Sequence, residues 1–185
     1  MASALEAALA RRSSSKTTDA APDHQTLMSL LEGAARVADH ASLRPWRVIA
    51  LRDAARERLG RALAAAAGAE GDAARKLAAK PLRAPLLLAI VVVTTPGHPK
   101  VPEWEQEASA AGVAHLLSLL LDEAGWGVMW RTGPHTRHPL VAEMHRLAPN
   151  ERMLGWLYVG GVPAGSRAER RTDRLAAARL TTLDA

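Results

Sequence analysis

The stretch GWGVMWRTG, residues 125–133, decides how the rest of the chain is read. Its Gly125-Trp126-Gly127 looks like the opening of a dinucleotide fingerprint, but the third glycine would fall at Trp130. The order of elements is also reversed. A long apolar helix over residues 103–124 comes first, Gly125 stops it, and a strand over 126–131 follows. A Rossmann phosphate turn leads instead from a strand into a helix. Moving outward, residues 86–95 form a continuous apolar, β-branched run suited to a strand covered on both faces. Two further strands are expected at 46–51 and 153–159. Helices are expected at 2–10, 53–67, 70–79 and 138–147, and after Asp23, a credible N-cap. In that last helix Leu27, Leu30, Leu31, Ala34 and Ala38 make a one-faced stripe. Helices and strands alternate in a mixed order that predicts a layered α/β sandwich rather than repeated βαβ units.

Composition narrows the possibilities. A globule of 185 residues fits one domain and buries roughly 70% of its unfolded surface. Five Trp, one Tyr and no Phe leave the core to Leu, Ala and Val. The net charge of +5 would suit an anionic partner. The arginines, however, are interleaved with acids, and only residues 167–179 gather five of them. That pattern reads as a solvated face, with no nucleic acid expected. The absence of cysteine excludes thiolate and disulfide chemistry. The start lacks a secretory pattern, and the apolar, charge-free run 108–121 is shorter than the ~20 residues of a membrane span. A cytoplasmic protein without a membrane partner is expected. His135, His138 and His145, with Glu143, lack the i, i+4 spacing of a zinc site, so no metal is expected. His115 reads as a satisfied core residue.

The candidate site residues fall in separate segments. Arg11-Arg12-Ser13, with Lys16 following, could neutralise a helix end or grip a phosphate, since a guanidinium pairs two oxygens at once. Residues 36–46, RVADHASLRPW, read as a helix end and turn before a strand that Trp46 anchors. Residues 98–106, HPKVPEWEQ, form a proline-stiffened approach to the long helix. Trp130-Arg131-Thr132 closes the strand of the opening stretch.

Taken together, these segments resemble the nitroreductase family, and most closely its YdjA-like NAD(P)H nitroreductases. The resemblance runs over most of residues 4–163. It implies an α+β fold: a layered α/β/α sandwich with a mixed, mainly antiparallel sheet, in a domain-swapped homodimer. Residues 1–163 would be one FMN-binding domain, and 164–185 a tail that can wrap the partner subunit. It further implies that Arg11, Arg12, Ser13, Trp130, Arg131 and Thr132 contact FMN at the subunit interface. Arg36 and His40 would reach the flavin of the other subunit. Leu120, Leu121, Asp122, Glu123, Ala124 and Gly125 would lie where related proteins place NAD(P). Arg44 stands where the family usually has Gln, and Ser42 where it commonly has Asn. Residues 98–106 match the subgroup pattern and would line the substrate opening around Trp104.

The implied activity passes hydride from NAD(P)H through FMN to a nitroaromatic, a quinone or another flat small-molecule acceptor. No dedicated side-chain acid is required, because the cofactor carries the chemistry. Arg12 and Arg131 are the candidates to stabilise the reduced ring. The alternatives are an FMN-binding protein without turnover, one acting on flavin itself, and a basic nucleic-acid-binding module.

Overall fold

A computed structural model describes residues 3–166 and 179–183. Most of the segment 164–185, expected to form a tail, lies outside the described residues. Among the described residues, six α-helices and four strands follow one another as α1 (Ala4–Ala10), α2 (His24–Ala34), β1 (Trp46–Leu51), α3 (Asp53–Ala66), α4 (Gly71–Ala78), β2 (Leu86–Val93), α5 (Glu103–Glu123), β3 (Trp126–Arg131), α6 (Pro139–Met144) and β4 (Glu151–Gly161). The strands form one sheet in the order β1-β2-β4-β3. All three pairings are antiparallel.

Strand β2 explains the layering. Its alternate residues point to opposite faces, and both faces are buried along nearly its whole length. Leu86, Leu88 and Ile90 join a core with Leu27 and Ala34 of α2 and Val113, Leu117 and Leu121 of α5. Leu87, Ala89 and Val91 join a second core with Leu59 of α3 and Val141 of α6. The α/β/α sandwich is therefore written in one uninterrupted apolar run. Asp23 caps α2 as expected, its carboxylate accepting from the Thr26 N–H at 2.8 Å, which holds its pKa below the ordinary value.

Several boundaries differ from the expectation. Helix α2 ends at Ala34, so Ala38 lies beyond the stripe, in the following loop. Strand β2 stops at Val93 because Thr94 turns to Asn150. The Thr94 N–H and Oγ1 both donate to the Asn150 carbonyl at 2.9 Å, and Asn150 Nδ2 donates to the Thr94 carbonyl at 2.8 Å. Helix α5 is apolar nearly all round, yet its buried residues are confined to one side. His115 is on the other side, exposed, and is not the core residue its apolar neighbours suggested. Adjacent residues of a helix point to different faces, so the buried Val113, Ala114 and Leu117 around His115 belong to another face.

Candidate functional site

The site begins with glycines. The Ser14 N–H donates to the Val128 carbonyl at 2.8 Å on the outer edge of β3. Thr18 then makes an antiparallel bridge to Gly161. Between these two ties the chain crosses the end of the sheet over Gly127, Gly160 and Gly161. A Cβ at Gly160 would stand 2.7 Å from the Thr17 side chain, one at Gly161 would collide with Thr18 Oγ1, and one at Gly127 would crowd Ser14. Gly127, the second glycine of the opening Gly-x-Gly, thus helps to seat a crossing chain instead of building a phosphate turn.

The direction of that crossing carries Arg11, Arg12 and Ser13 toward the end of β3 that bears Trp130, Arg131 and Thr132. Gly127 and Gly160 alternate along their strands with Val128 and Val159, which face the α2–α5 core. The crossing segment therefore lies on the α3–α6 face. Arg131 points to this face as well, its guanidinium carbon 5.3 Å from the centre of the Tyr158 ring. Its Nε is buried with no hydrogen-bond partner among the described residues. Thr17 Oγ1 donates to the Arg83 carbonyl at 3.3 Å and ties the segment down there. Arg11, Lys16 and Arg83 are exposed around it, and Arg12 is half-buried.

Trp130 faces the other way. Its indole meets the exposed ring of His115 edge-on, with centroids 5.0 Å apart, and its Nε1 donates to the Leu154 carbonyl at 3.3 Å. A bulge in β4 makes this possible. The register against β2 shifts so that Ile90 pairs with Gly155 and Val91 with Met153, leaving Leu154 extra. Gly155 has φ +126°, and a Cβ there would lie 2.6 Å from the Arg131 carbonyl and 2.8 Å from the Trp130 indole nitrogen. Only glycine fits that contact.

Arg36 and His40 lie elsewhere in the same chain. Both are exposed, and His40 Nδ1 bonds Glu105 Oε2 of α5 at 2.8 Å. Glu105 is ten residues before His115 on α5, about 15 Å along the axis. One protomer thus seats residues 14–17, directly after Arg11–Ser13, on the face to which Arg131 points, and holds His40 at a different end of α5 from the His115–Trp130 contact. The loop between is unusual. Ala41, Ser42 and Arg44 have φ of 61°, 53° and 49°, the left-handed region that costs L-residues energy. Asp39 Oδ2 accepts from the Arg44 N–H at 2.7 Å and closes the turn. Beside it opens a groove of about 590 Å³ lined by Val37, Ala38, Asp39, His40, Trp104 and Glu105, among others. Trp104 is 69% exposed.

The third candidate set sits at the opposite end of β3 from Trp130, about 14 Å away at the rise of a strand. Leu121 is fully buried, and Leu120 packs against the core and touches the position of Gly33. Asp122 is half-buried, so Glu123, Ala124 and Gly125 are what this segment exposes. Among the described residues no group of three or more His, Asp or Glu gathers as a metal-ligand set, and no helix is long and apolar enough to cross a membrane. His145, read above with His135 and His138, is buried instead. It accepts from the Trp156 indole at 3.1 Å through Nε2 and donates from Nδ1 to the Val141 carbonyl at 2.7 Å. Burial pushes its pKa below the ordinary value, with the Arg47 charge adding to the effect and the Val141 bond opposing it.

Tyr158, Gly155, the Gly160-Gly161 pair and Glu105 were not singled out from the sequence. Gly155 carried a signal, because an isolated glycine inside a strand run marks a bulge or a close approach. Glu105 carried none, since its partner is distant in sequence.

Comparison with known proteins follows the same outline. The model of the nitroreductase family matches residues 8–161. The chain is 35% identical over 160 residues to the Escherichia coli (strain K12) protein named "Putative NAD(P)H nitroreductase YdjA", covering 85% of this chain and 87% of the relative. A nitroreductase-like family protein from Bacillus cereus superposes with a TM-score of 0.83 at 21% identity, over 100% of this chain and 98% of that one. The FMN and NADPH-dependent nitroreductase NfnB from Sphigopyxis sp. strain HMH superposes with a TM-score of 0.73 at 17% identity, over the whole of both chains.

Proposed function

The chain belongs to the nitroreductase family, and on that premise we propose that it is an FMN-dependent NAD(P)H oxidoreductase. In this reading it uses a flat small-molecule acceptor such as a nitroaromatic or a quinone. The observation that supports the proposal is the seating of residues 14–18, which directly follow Arg11–Ser13, across β3 and β4. Residues 14–17 cross the face to which Arg131 points, and the buried Arg131 Nε there has no partner among the described residues. Such a donor set fits an anionic mononucleotide, because an unsatisfied buried N–H costs about 1–3 kcal/mol until something accepts from it.

In this proposal Arg11, Arg12, Ser13, Trp130, Arg131 and Thr132 hold FMN. When bound, FMN accepts hydride from NAD(P)H and returns the electrons to the acceptor. The protein's share is position and charge. The glycine seat and the β4 bulge fix the backbone on which those side chains stand, so little order is lost on binding. Glu123, Ala124 and Gly125 are the part of residues 120–125 offered to the nicotinamide dinucleotide. Residues 1–163 act as one domain in this reading, and 164–185 as the tail that wraps the partner.

Arg36 and His40 contribute from the second subunit of a homodimer. Three features support a second copy: the separation of about 15 Å along α5, the outward stripe of Ala108, Ala111, His115 and Leu119 on that helix, and α1. That helix exposes Leu5 and Leu9 and buries none of its residues, although a seven-residue helix has little stability of its own in water.

The test is spectroscopic. Purified protein is expected to take up FMN, to be bleached anaerobically by NADH or NADPH, and to regain colour when a quinone or nitroaromatic is added. A chain that takes up no FMN, yet binds duplex DNA with steep salt dependence, would instead be a basic nucleic-acid module. A yellow protein that neither dinucleotide bleaches would be an FMN-binding protein without turnover.

A further inference from the structure

We propose that Tyr158 is a positioning residue: the face of its buried ring aims the Arg131 guanidinium at the phosphate end of the mononucleotide. The inference rests on the FMN reading above and goes beyond it, because it assigns Arg131 to the phosphate end of the ligand in place of the ring edge expected from the sequence. It also gives a role to the chain's single tyrosine.

Three observations meet at this pair. Tyr158 is 6% exposed and belongs to the α3–α6 core, so its ring is fixed by packing. The Arg131 guanidinium carbon sits 5.3 Å from the ring centroid, within the roughly 6 Å over which a ring face attracts a cation. The Arg131 Nε is buried without a hydrogen-bond acceptor among the described residues, so the ring supplies the side chain's observed in-chain restraint without consuming that donor. The cation is held in place while its N–H remains available.

The choice of the phosphate end follows from the company Arg131 keeps. Its face of the sheet is the one crossed by residues 14–17, a crossing that carries Lys16 and is tied through Thr17 to the Arg83 carbonyl. Arg83 also acts on Tyr158 through its charge, as Arg131 does, while burial pushes the phenol pKa upward. A gathering of cations around one edge suits a dianion better than it suits the neutral edge of an oxidised ring. Trp130, the flat surface of the same motif, points to the opposite face. The pair therefore separates two jobs within one tripeptide, with the charge on one side and the plane on the other.

Riboflavin, which has the same ring and ribityl chain without the phosphate, gives a direct test. FMN and riboflavin affinities would be measured by fluorescence titration of full-length apo-protein, alongside thermal melting. In Tyr158→Met, an unbranched apolar replacement that removes the π face, FMN affinity is expected to fall about tenfold. Riboflavin affinity should stay within about twofold, and Tyr158→Phe should match wild type for both. Arg131→Gln should reproduce the FMN-selective loss, and adding Tyr158→Met to it should deepen the loss little, since coupled residues are not additive. Should Tyr158→Met fail to fold, a trifluorinated phenylalanine at 158 keeps the shape while withdrawing the ring's negative face, and the same selective loss is expected. Parallel losses of FMN, riboflavin and melting temperature would overturn the proposal, leaving Tyr158 a packing residue. Unchanged affinities would overturn it equally. If FMN and riboflavin weaken together while melting holds, Arg131 meets the ring instead, and the assignment to the phosphate end is wrong. A wild-type protein that binds neither ligand would sink the cofactor reading and this inference together, whereas wild-type binding with any of the failures above sinks this inference alone.

Discussion

The crossing of residues 14–18 over β3 and β4 and the loop at residues 39–44 are both candidate flavin-contact regions, yet they are built by opposite means. The first is fixed by close packing. Backbone ties at Ser14 and Thr18 bracket three glycines whose missing side chains make room for the chain. The second is held in the left-handed region by residues that disfavour it, at Ala41, Ser42 and Arg44, with one side-chain acceptor, Asp39, closing the turn. Strained backbone persists where its surroundings over-determine it, and here the Asp39–Arg44 and His40–Glu105 bonds supply the restraint. The contrast teaches that one region is fixed by packing within the protomer, while the other is exposed, as the proposed homodimer requires.

Disrupting the packed half should produce the largest effect. Gly155→Ala places a Cβ 2.6 Å from the Arg131 carbonyl at a φ of +126°. Urea unfolding is expected to register a loss of about 3 kcal/mol, and FMN retention should disappear with it. A wild-type midpoint would mean that the bulge is soft and the packed half is less rigid than described.

The division between protomers is sharpened by complementation. Arg11→Ala and His40→Ala should each lose FMN, and mixing the two after co-refolding should restore about a quarter of wild-type uptake. This follows because half of the random dimers are mixed and each of those has one intact site, given a two-fold interface. No recovery would place both residues on the same flavin of one chain.

The pH dependence of folding offers a control away from both regions. His145 is held neutral by burial, so the unfolded chain binds its proton more readily. Its contribution to stability is complete above the ordinary histidine range and is lost as pH falls from about 6.5 toward the lowered folded value. Denaturation midpoints should therefore drop on acidification, and His145→Gln should flatten that slope. An unchanged slope would show that another group governs acid stability. The smallest effect is expected in the strained loop. Ser42→Asn, which installs the residue common at this position in the family, should stabilise the chain by about 0.5 kcal/mol because Asn tolerates the left-handed region. Destabilisation would show that the Ser42 side chain has a role the backbone does not reveal.

The layers were legible in the sequence because their signals are local. The run beginning at Leu86 specifies a strand buried on both sides, and Asp23 marks a helix start through a bond only three residues long. The family resemblance supplied the cofactor segments, and the match over residues 8–161 bears out the family. What the sequence withheld depends on through-space partners. Glu105 meets His40, Tyr158 lies under Arg131, and Ser14 finds Val128, each across a separation that no periodicity encodes. His115 illustrates the same limit from the other direction. Apolar neighbours on α5 suggested burial, but its own position on the helix turns it outward.

The anchoring of Thr18 on Gly161 has a kinetic consequence. A ribosome delivers residues 11–18 well before β3 and β4, the strands that receive them. The proposed grip on FMN must therefore form late, after β4 has paired with β3, since distant pairings wait on loop closure. A nascent chain stalled before β4 would display its arginines with nothing to rest on.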